Sequence, residues 1–429
     1  MRTVTVLSSL AVLALAPALA AGPDLSWMEI RLSRNPGGQY DDRNEGLTVA
    51  DVDRDGKADV IAGGWWYHAP NWERHVVRDF KQDKEFGQNN GDLALDVNGD
   101  GWVDVITGSW FEPDVRWFEN PGKEGLEKGV KWAAHPIGKL GACEGKILQD
   151  FDGDGTPELV LDSWEDNVPV HIFKVIRGSG EVRWENHQIG KRSGHGMGIG
   201  DINGDGRADV VVKDGWYETP AAPADPFKST DWTFHKELDL GHTGVPFAVH
   251  DVNGDGLADI IYGEGHDYGV TWLEQAKSTD GKREWKRHEI EASPKKGDAG
   301  DPTPRPDMVL SQVHTIVVAD LDGDGKPEYI TGKRLRGHGD GDGGWKEPIG
   351  LYYYTWDGGA KSFTRHVISE SPGIAGRFGK SANDELQMRG AVGTGMQICV
   401  QDLNGDGRPD VAVAGKSGTY ILMNQPDAR

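Results

Sequence analysis

One nine-residue pattern recurs seven times along this chain, and that recurrence leaves few folds open. The copies are DVDRDGKAD from Asp51, DVNGDGWVD from Asp96, DFDGDGTPE from Asp150, DINGDGRAD from Asp201, DVNGDGLAD from Asp251, DLDGDGKPE from Asp320 and DLNGDGRPD from Asp402. Each sets side-chain oxygens at positions one, three, five and nine and a glycine at position six. The first three copies supply Asp51, Asp53, Asp55, Asp59; Asp96, Asn98, Asp100, Asp104; and Asp150, Asp152, Asp154, Glu158. The other four supply Asp201, Asn203, Asp205, Asp209; Asp251, Asn253, Asp255, Asp259; Asp320, Asp322, Asp324, Glu328; and Asp402, Asn404, Asp406, Asp410. A hard cation such as Ca²⁺ takes six to eight oxygens in a flexible shell, and glycine permits the sharp turn that gathers them. The carbonyl of position seven would add a ligand. No copy carries Glu at position twelve, and the flanks, such as ADVIAG and ADVVVK, are β-branched, so these loops join strands rather than the helices of an EF-hand.

Repeats at this spacing, each a loop between short strands, predict radial blades. A second repeat agrees. An aromatic-x-x-His motif closes six units, in Trp72/His75, Trp132/His135, Trp184/His187, Trp232/His235, Trp285/His288 and Phe363/His366. The chain ends before a seventh copy, but Ser26–Leu32 offers an alternating strand near the N-terminus. The expectation is an all-β, seven-bladed β-propeller with calcium-type acidic loops, its last blade closed by the N-terminal strand, which removes the open sheet edge.

The acidic loops account for the charge. Their ligand positions hold 24 Asp and Glu, against a net charge of −23. Up to seven structural Ca²⁺ ions are the expected counterions. Such a surface argues against nucleic acid or an anionic membrane as partner. Residues 1–20 read as a signal peptide: Arg2 precedes an apolar run from Val4 to Leu19, and Ala18-Leu19-Ala20 fits a small-x-small cleavage site. No later run reaches the roughly 18 apolar residues of a membrane span. A secreted or periplasmic protein is expected, with residues 21–429 forming one domain. Cys143 and Cys399 fall in blades three and seven and should both be free thiols.

The acidic loops with flanking strands resemble FG-GAP or VCBS repeats, as found in integrin-type and many bacterial propellers. The resemblance spans roughly residues 40 to 425 and implies a fold more than a function. Function is sought where the copies disagree. Six residues before the first loop Asp stand Glu45, Asn90, Glu144, His195, Val245, His314 and Met396. Thirteen residues after it stand Gly64, Ser109, Ser163, Asp214, Glu264, Lys333 and Gly415. In an antiparallel pair these two columns share the end opposite the acidic loops, at the mouth of the central channel. Blades four to six therefore bring His195, Asp214, Glu264, His314 and Lys333 there, with His242, His266, Arg334, Arg336 and His338 close by. Blades one to three bring Trp65, Trp110 and Trp164. An ionisable half-ring facing an aromatic one suits a sugar, with its apolar CH face and polar rim. Two or three of the histidines with Glu264 or Asp214 could hold an additional divalent metal. Long Gly-, Pro- and charge-rich insertions, 292–312 and 369–395, should emerge on the same face as binding loops.

Three segments, Gly194-His195-Gly196-Met197-Gly198, Gly263-Glu264-Gly265-His266-Asp267-Tyr268-Gly269 and Gly332-Lys333-Arg334 through Gly337-His338-Gly339-Asp340, are similar to the propeller domain of aldos-2-ulose dehydratases, lyases of keto-sugars. That resemblance implies a catalytic propeller with a divalent metal, and His195, Glu264, His266, His314, Lys333 and His338 as site residues; His242 and Arg334 join them by position. The cupin and lectin-like domains of the fungal enzyme have no counterpart in these 429 residues, so no second, isomerising step is implied. The expected function is a metal-assisted lyase or dehydratase on a keto-sugar or related saccharide. In that scheme a metal or Lys333/Arg334 polarises a carbonyl, His195 or His314 takes the adjacent proton, and Glu264 or His266 protonates the departing oxygen. Two other readings stand beside it: a non-catalytic, integrin-like propeller binding glycan or protein, and a polysaccharide lyase for uronates.

Overall fold

The computed structural model describes residues 25–33, 43–83, 86–110, 114–140, 143–178, 181–291, 310–337, 342–345, 347–370 and 392–426. Seven four-stranded antiparallel sheets are arranged as blades. Their innermost strands are Leu47–Ala50, Asp92–Leu95, Lys146–Gln149, Met197–Gly200, Ala248–His250, Ile316–Ala319 and Ile398–Gln401. Each second strand, such as Asp59–Ala62 or Glu158–Leu161, is buried along its whole length. Both faces of such a strand are covered by neighbouring blades, which is why the run is continuously apolar and β-branched rather than alternating. Burying one such side chain contributes about 1.5–3 kcal/mol.

Every acidic loop is wired alike. The first-position carboxylate accepts the N–H of the sixth-position glycine in all seven blades, from Gly56 to Asp51 at 3.0 Å through Gly407 to Asp402 at 2.8 Å. Those glycines hold φ between 83° and 89°, where a side chain would be strained. The ninth-position carboxylate is buried and accepts the N–H of position two, as Val52 to Asp59 at 3.0 Å and Leu403 to Asp410 at 2.9 Å. It thereby ties the start of the loop to the second strand.

The repeat histidines are structural. His75, His135, His235, His288 and His366 stack on the third-strand aromatics Trp66, Trp117, Trp216, Trp272 and Tyr353, with ring centroids 4.0–4.6 Å apart. Blade seven has no such motif, and Ser26–Arg31 supplies its outer strand, pairing Ser26 with Gln425 through Arg31 with Tyr420. The ring is closed as the sequence predicts. Cys143 and Cys399 are free thiols. Among the described residues no helix is long and apolar enough to cross a membrane. Most of both long insertions, and His338, lie outside the described residues.

Candidate metal centre

At the channel end opposite the acidic loops, four side chains from blades three to six converge. Glu144 and His195 precede the inner strands of blades three and four, His314 precedes that of blade six, and His266 follows the second strand of blade five. Their ligand-type atoms all lie within 4.8 Å of one another. His195 Nε2 is 2.5 Å from Glu144 Oε2 and 2.9 Å from His266 Nε2. Glycine makes the approach possible: a Cβ on Gly196 would meet Thr243 Oγ1 at 1.7 Å, and this contact holds His195 against the segment that follows His242.

Each ring is oriented by its other nitrogen. His195 Nδ1 donates to the Thr243 carbonyl, His314 Nδ1 to the Gln312 carbonyl at 3.2 Å, and His266 Nδ1 faces Asp342 Oδ2 at 3.4 Å. With Nδ1 carrying the hydrogen, each Nε2 presents a lone pair to the common point. Two imidazole lone pairs 2.9 Å apart repel unless a cation or proton lies between them. The buried Glu144 Oε2 faces His195 Nε2 and has no other hydrogen-bond donor aligned on it. Three imidazoles and one carboxylate, oriented from behind, fit a divalent transition metal better than they fit one another.

Without a metal, a proton on His195 holds the Glu144 carboxylate in its place, and a bound cation would displace that proton. Burial opposes charge on His195, yet the Glu144 carboxylate, helped by Asp162, raises its pKa to about 9. Burial likewise opposes ionisation of Glu144, but His195, His314 and Arg334 hold it well below the usual carboxylate range. His314 is driven far down by burial and then by Arg334. The Arg334 guanidinium clamps Glu45 through two contacts of 3.1 Å and places Nη1 3.4 Å from His314 Nε2. It is a fixed cation beside the centre, suited to an oxyanion.

The other sequence candidates are placed differently. Glu264 is half-buried and outside the four-residue set; burial pushes its pKa to about 7, partly offset by Arg287. Asp214 is engaged by Arg192. His242 is exposed, its ring 5.7 Å from that of His195. Lys333 is not at an open rim: it is 1 % exposed and bonds Gln312 Oε1 and the Arg334 carbonyl, each at 3.1 Å. Of the aromatic half, Trp65 lies under Arg74 and packs into the core. Trp110 and Trp164 do pair, 5.3 Å apart, and Trp164 is 46 % exposed. Trp164 follows Ser163, whose carbonyl accepts Gly194 N–H at 3.0 Å, one residue before His195. The carboxylates at the centre are Glu144 and, through Arg334, Glu45, rather than Glu264 or Asp214; both stand in the same aligned column as His195 and His314, which is the sequence signal for them.

Burial lowers the Lys333 pKa from 10.5 to about 7. The folded chain then sheds this proton before the unfolded chain does, so between about pH 7 and 10.5 the unfolded state binds more protons and stability climbs with pH. Lys333→Met should lose that climb. Thermal unfolding of both proteins from pH 7 to 10 tests it, and parallel curves would contradict a desolvated amine.

Residues 96–161 and 150–212 match the model of the FG-GAP-like repeat. The match runs from the acidic loop of blade two to the second strand of blade four. No curated protein matches the chain. Among solved structures, BBS1N in complex with ARL6DN superposes on this propeller with a TM-score of 0.50 at 9 % identity, covering 94 % of this chain and 98 % of that one. The exotype rhamnogalacturonan lyase YesX gives 0.48 at 12 % identity, covering 93 % and 76 %. At such identities the likeness concerns the fold alone.

Proposed function

We propose that this propeller is a secreted, metal-dependent carbon–oxygen lyase acting on a keto-sugar or related saccharide. The observation that carries the reading is the convergence of three oriented Nε2 atoms on Glu144 at the channel mouth, with Arg334 fixed beside them. A divalent metal held by Glu144, His195, His266 and His314 would supply Lewis acidity toward a sugar carbonyl.

This arrangement redistributes the roles expected from sequence. His195, His266 and His314 aim Nε2 at the metal position, so none is left to carry a substrate proton. Glu264, with a pKa near 7, is suited to that task, and His242 is the second titratable group on the rim. In the elimination Glu264 takes the proton from the carbon beside the carbonyl. That C–H electron pair becomes the new C=C bond, the C–O bond one carbon further breaks, and the departing hydroxyl leaves as water on receiving the proton that Glu264 took. Arg334 holds the developing enolate oxygen. Incubating the metal-loaded protein with a 2-keto-aldose should produce the ultraviolet absorbance of a conjugated enone; a panel of keto-sugars left unchanged would refute the lyase.

Trp164 and Trp110 form the apolar wall for the sugar ring. Losing a stacked aromatic costs about 1.4 kcal/mol, roughly tenfold in affinity. Trp164→Ala should therefore raise KM about tenfold with kcat and metal content little changed; an unaltered KM would place the sugar elsewhere.

A further inference from the structure

The seven acidic loops are not equivalent. Carrying the pairing of the second and third strands one residue further places His68, Glu119, Lys174, Glu218, Glu274, Thr355 and Met423 opposite the ninth loop position in blades one to seven. This facing residue varies with loop position three. Where position three is Asp53, Asp152 or Asp322, the facing residue is His68, Lys174 or Thr355. Where it is Asn98, Asn203 or Asn253, the facing residue is Glu119, Glu218 or Glu274; blade seven has Asn404 and Met423. No blade has an acid at both places. The two positions together never carry more than one negative charge, and in blade seven they carry none, as repulsion within one crowded cluster favours.

Blade three departs from this exchange by adding a positive charge. Lys174 Nζ contacts Asp152 Oδ2, lies 2.7 Å from Asp154 Oδ2 and 3.3 Å from Glu158 Oε1, and sits 4.9 Å from the Phe227 ring centroid. Positions three, five and nine thus converge on an ammonium delivered from the neighbouring strand. In blade six the same four acids face Thr355, which carries no charge. In blade one His68 reaches Asp53 at 3.1 Å and Asp55 at 3.6 Å but not Asp59.

We infer that in blade three the Lys174 ammonium takes the place of a calcium ion. The loop is neutralised from within the chain, and this blade keeps its geometry at calcium concentrations that empty the others. A tethered ammonium has no dissociation to oppose, whereas a free ion must be held by mass action.

The test compares the full-length mature protein with Lys174→Thr, which copies blade six. Calcium-45 equilibrium dialysis should find one more ion per chain in the variant; equal stoichiometry would overturn the inference. Hydrogen exchange gives an arm that does not rest on calcium binding elsewhere. In chelator, loop amides 150–158 should stay protected in the wild type and lose about tenfold or more in Lys174→Thr. Loss of protection in the chelated wild type, or none in the variant, would also overturn it.

Discussion

A Glu144→Gln protein should fold and lose the transition metal proposed for the channel mouth, and with it the proposed turnover, while any calcium content of the acidic loops stays unchanged. Glu144 is the one carboxylate in the four-residue set, and an amide oxygen offers a much poorer ligand. Outer-sphere changes already cost ten- to a hundredfold in metal affinity, so removing a ligand charge should exceed about a hundredfold. The fold should survive, because Glu144 stands at the entrance of an inner strand and the substitution is nearly isosteric. Its loss also frees His195 from the ion pair, so the imidazole proton should leave at lower pH. Metal analysis after gel filtration, with enone formation on the same sample, checks both halves. Full metal occupancy in Glu144→Gln would remove the centre on which the proposed function stands.

Withdrawing calcium should lower the melting temperature by about 20 °C or more. At a thousand times Kd each bound ion adds about 4 kcal/mol, and several such sites act on one closed ring. The dependence on pH should also invert. Without a cation, burial raises the ninth-position carboxylates: Asp59, Asp104 and Glu328 to about 7, and Asp209 and Asp259 to about 6. Groups raised above their unfolded value bind more protons folded than unfolded. The calcium-free protein should therefore lose stability as pH climbs from about 4 to 7. Calcium would hold the same carboxylates ionised, so the loaded protein should gain stability only until the unfolded carboxylates have ionised, near pH 5, and keep it from there to pH 7. Calorimetry on dialysed and calcium-loaded samples reads both effects. Coincident melting curves would make the loops plain turns.

The fold was legible because its signal is local and repeated. The Asp-x-Asp/Asn-x-Asp-Gly spacing sets each turn, the β-branched runs set the second strands, and a missing seventh aromatic-x-x-His points to Ser26–Leu32 as the closing strand, which the structure shows as Ser26–Arg31. The site was legible only as a column. Alignment put Glu45, Glu144, His195 and His314 at one strand end, but which of them meet depends on how far each lies from the axis. The starts of inner strands converge on the channel, so Glu144 meets His195 across a blade boundary. The ends of second strands lie a step outward, which leaves Asp214 with Arg192 and Glu264 beside the centre rather than in it. Lys333 belonged to the right column, but its amine is buried against Gln312, a contact that no spacing in the sequence announces.

The closing strand has a mechanical consequence. Ser26 pairs with Gln425, so the chain enters and leaves blade seven at the same end of one hydrogen-bonded ribbon. Tension applied through those two points loads the rungs one after another, as a zipper is drawn, instead of shearing all six pairs together. A ring that resists heat as a closed unit would then part at low force when pulled by its ends, with the seam between Ser26–Arg31 and Tyr420–Gln425 opening first.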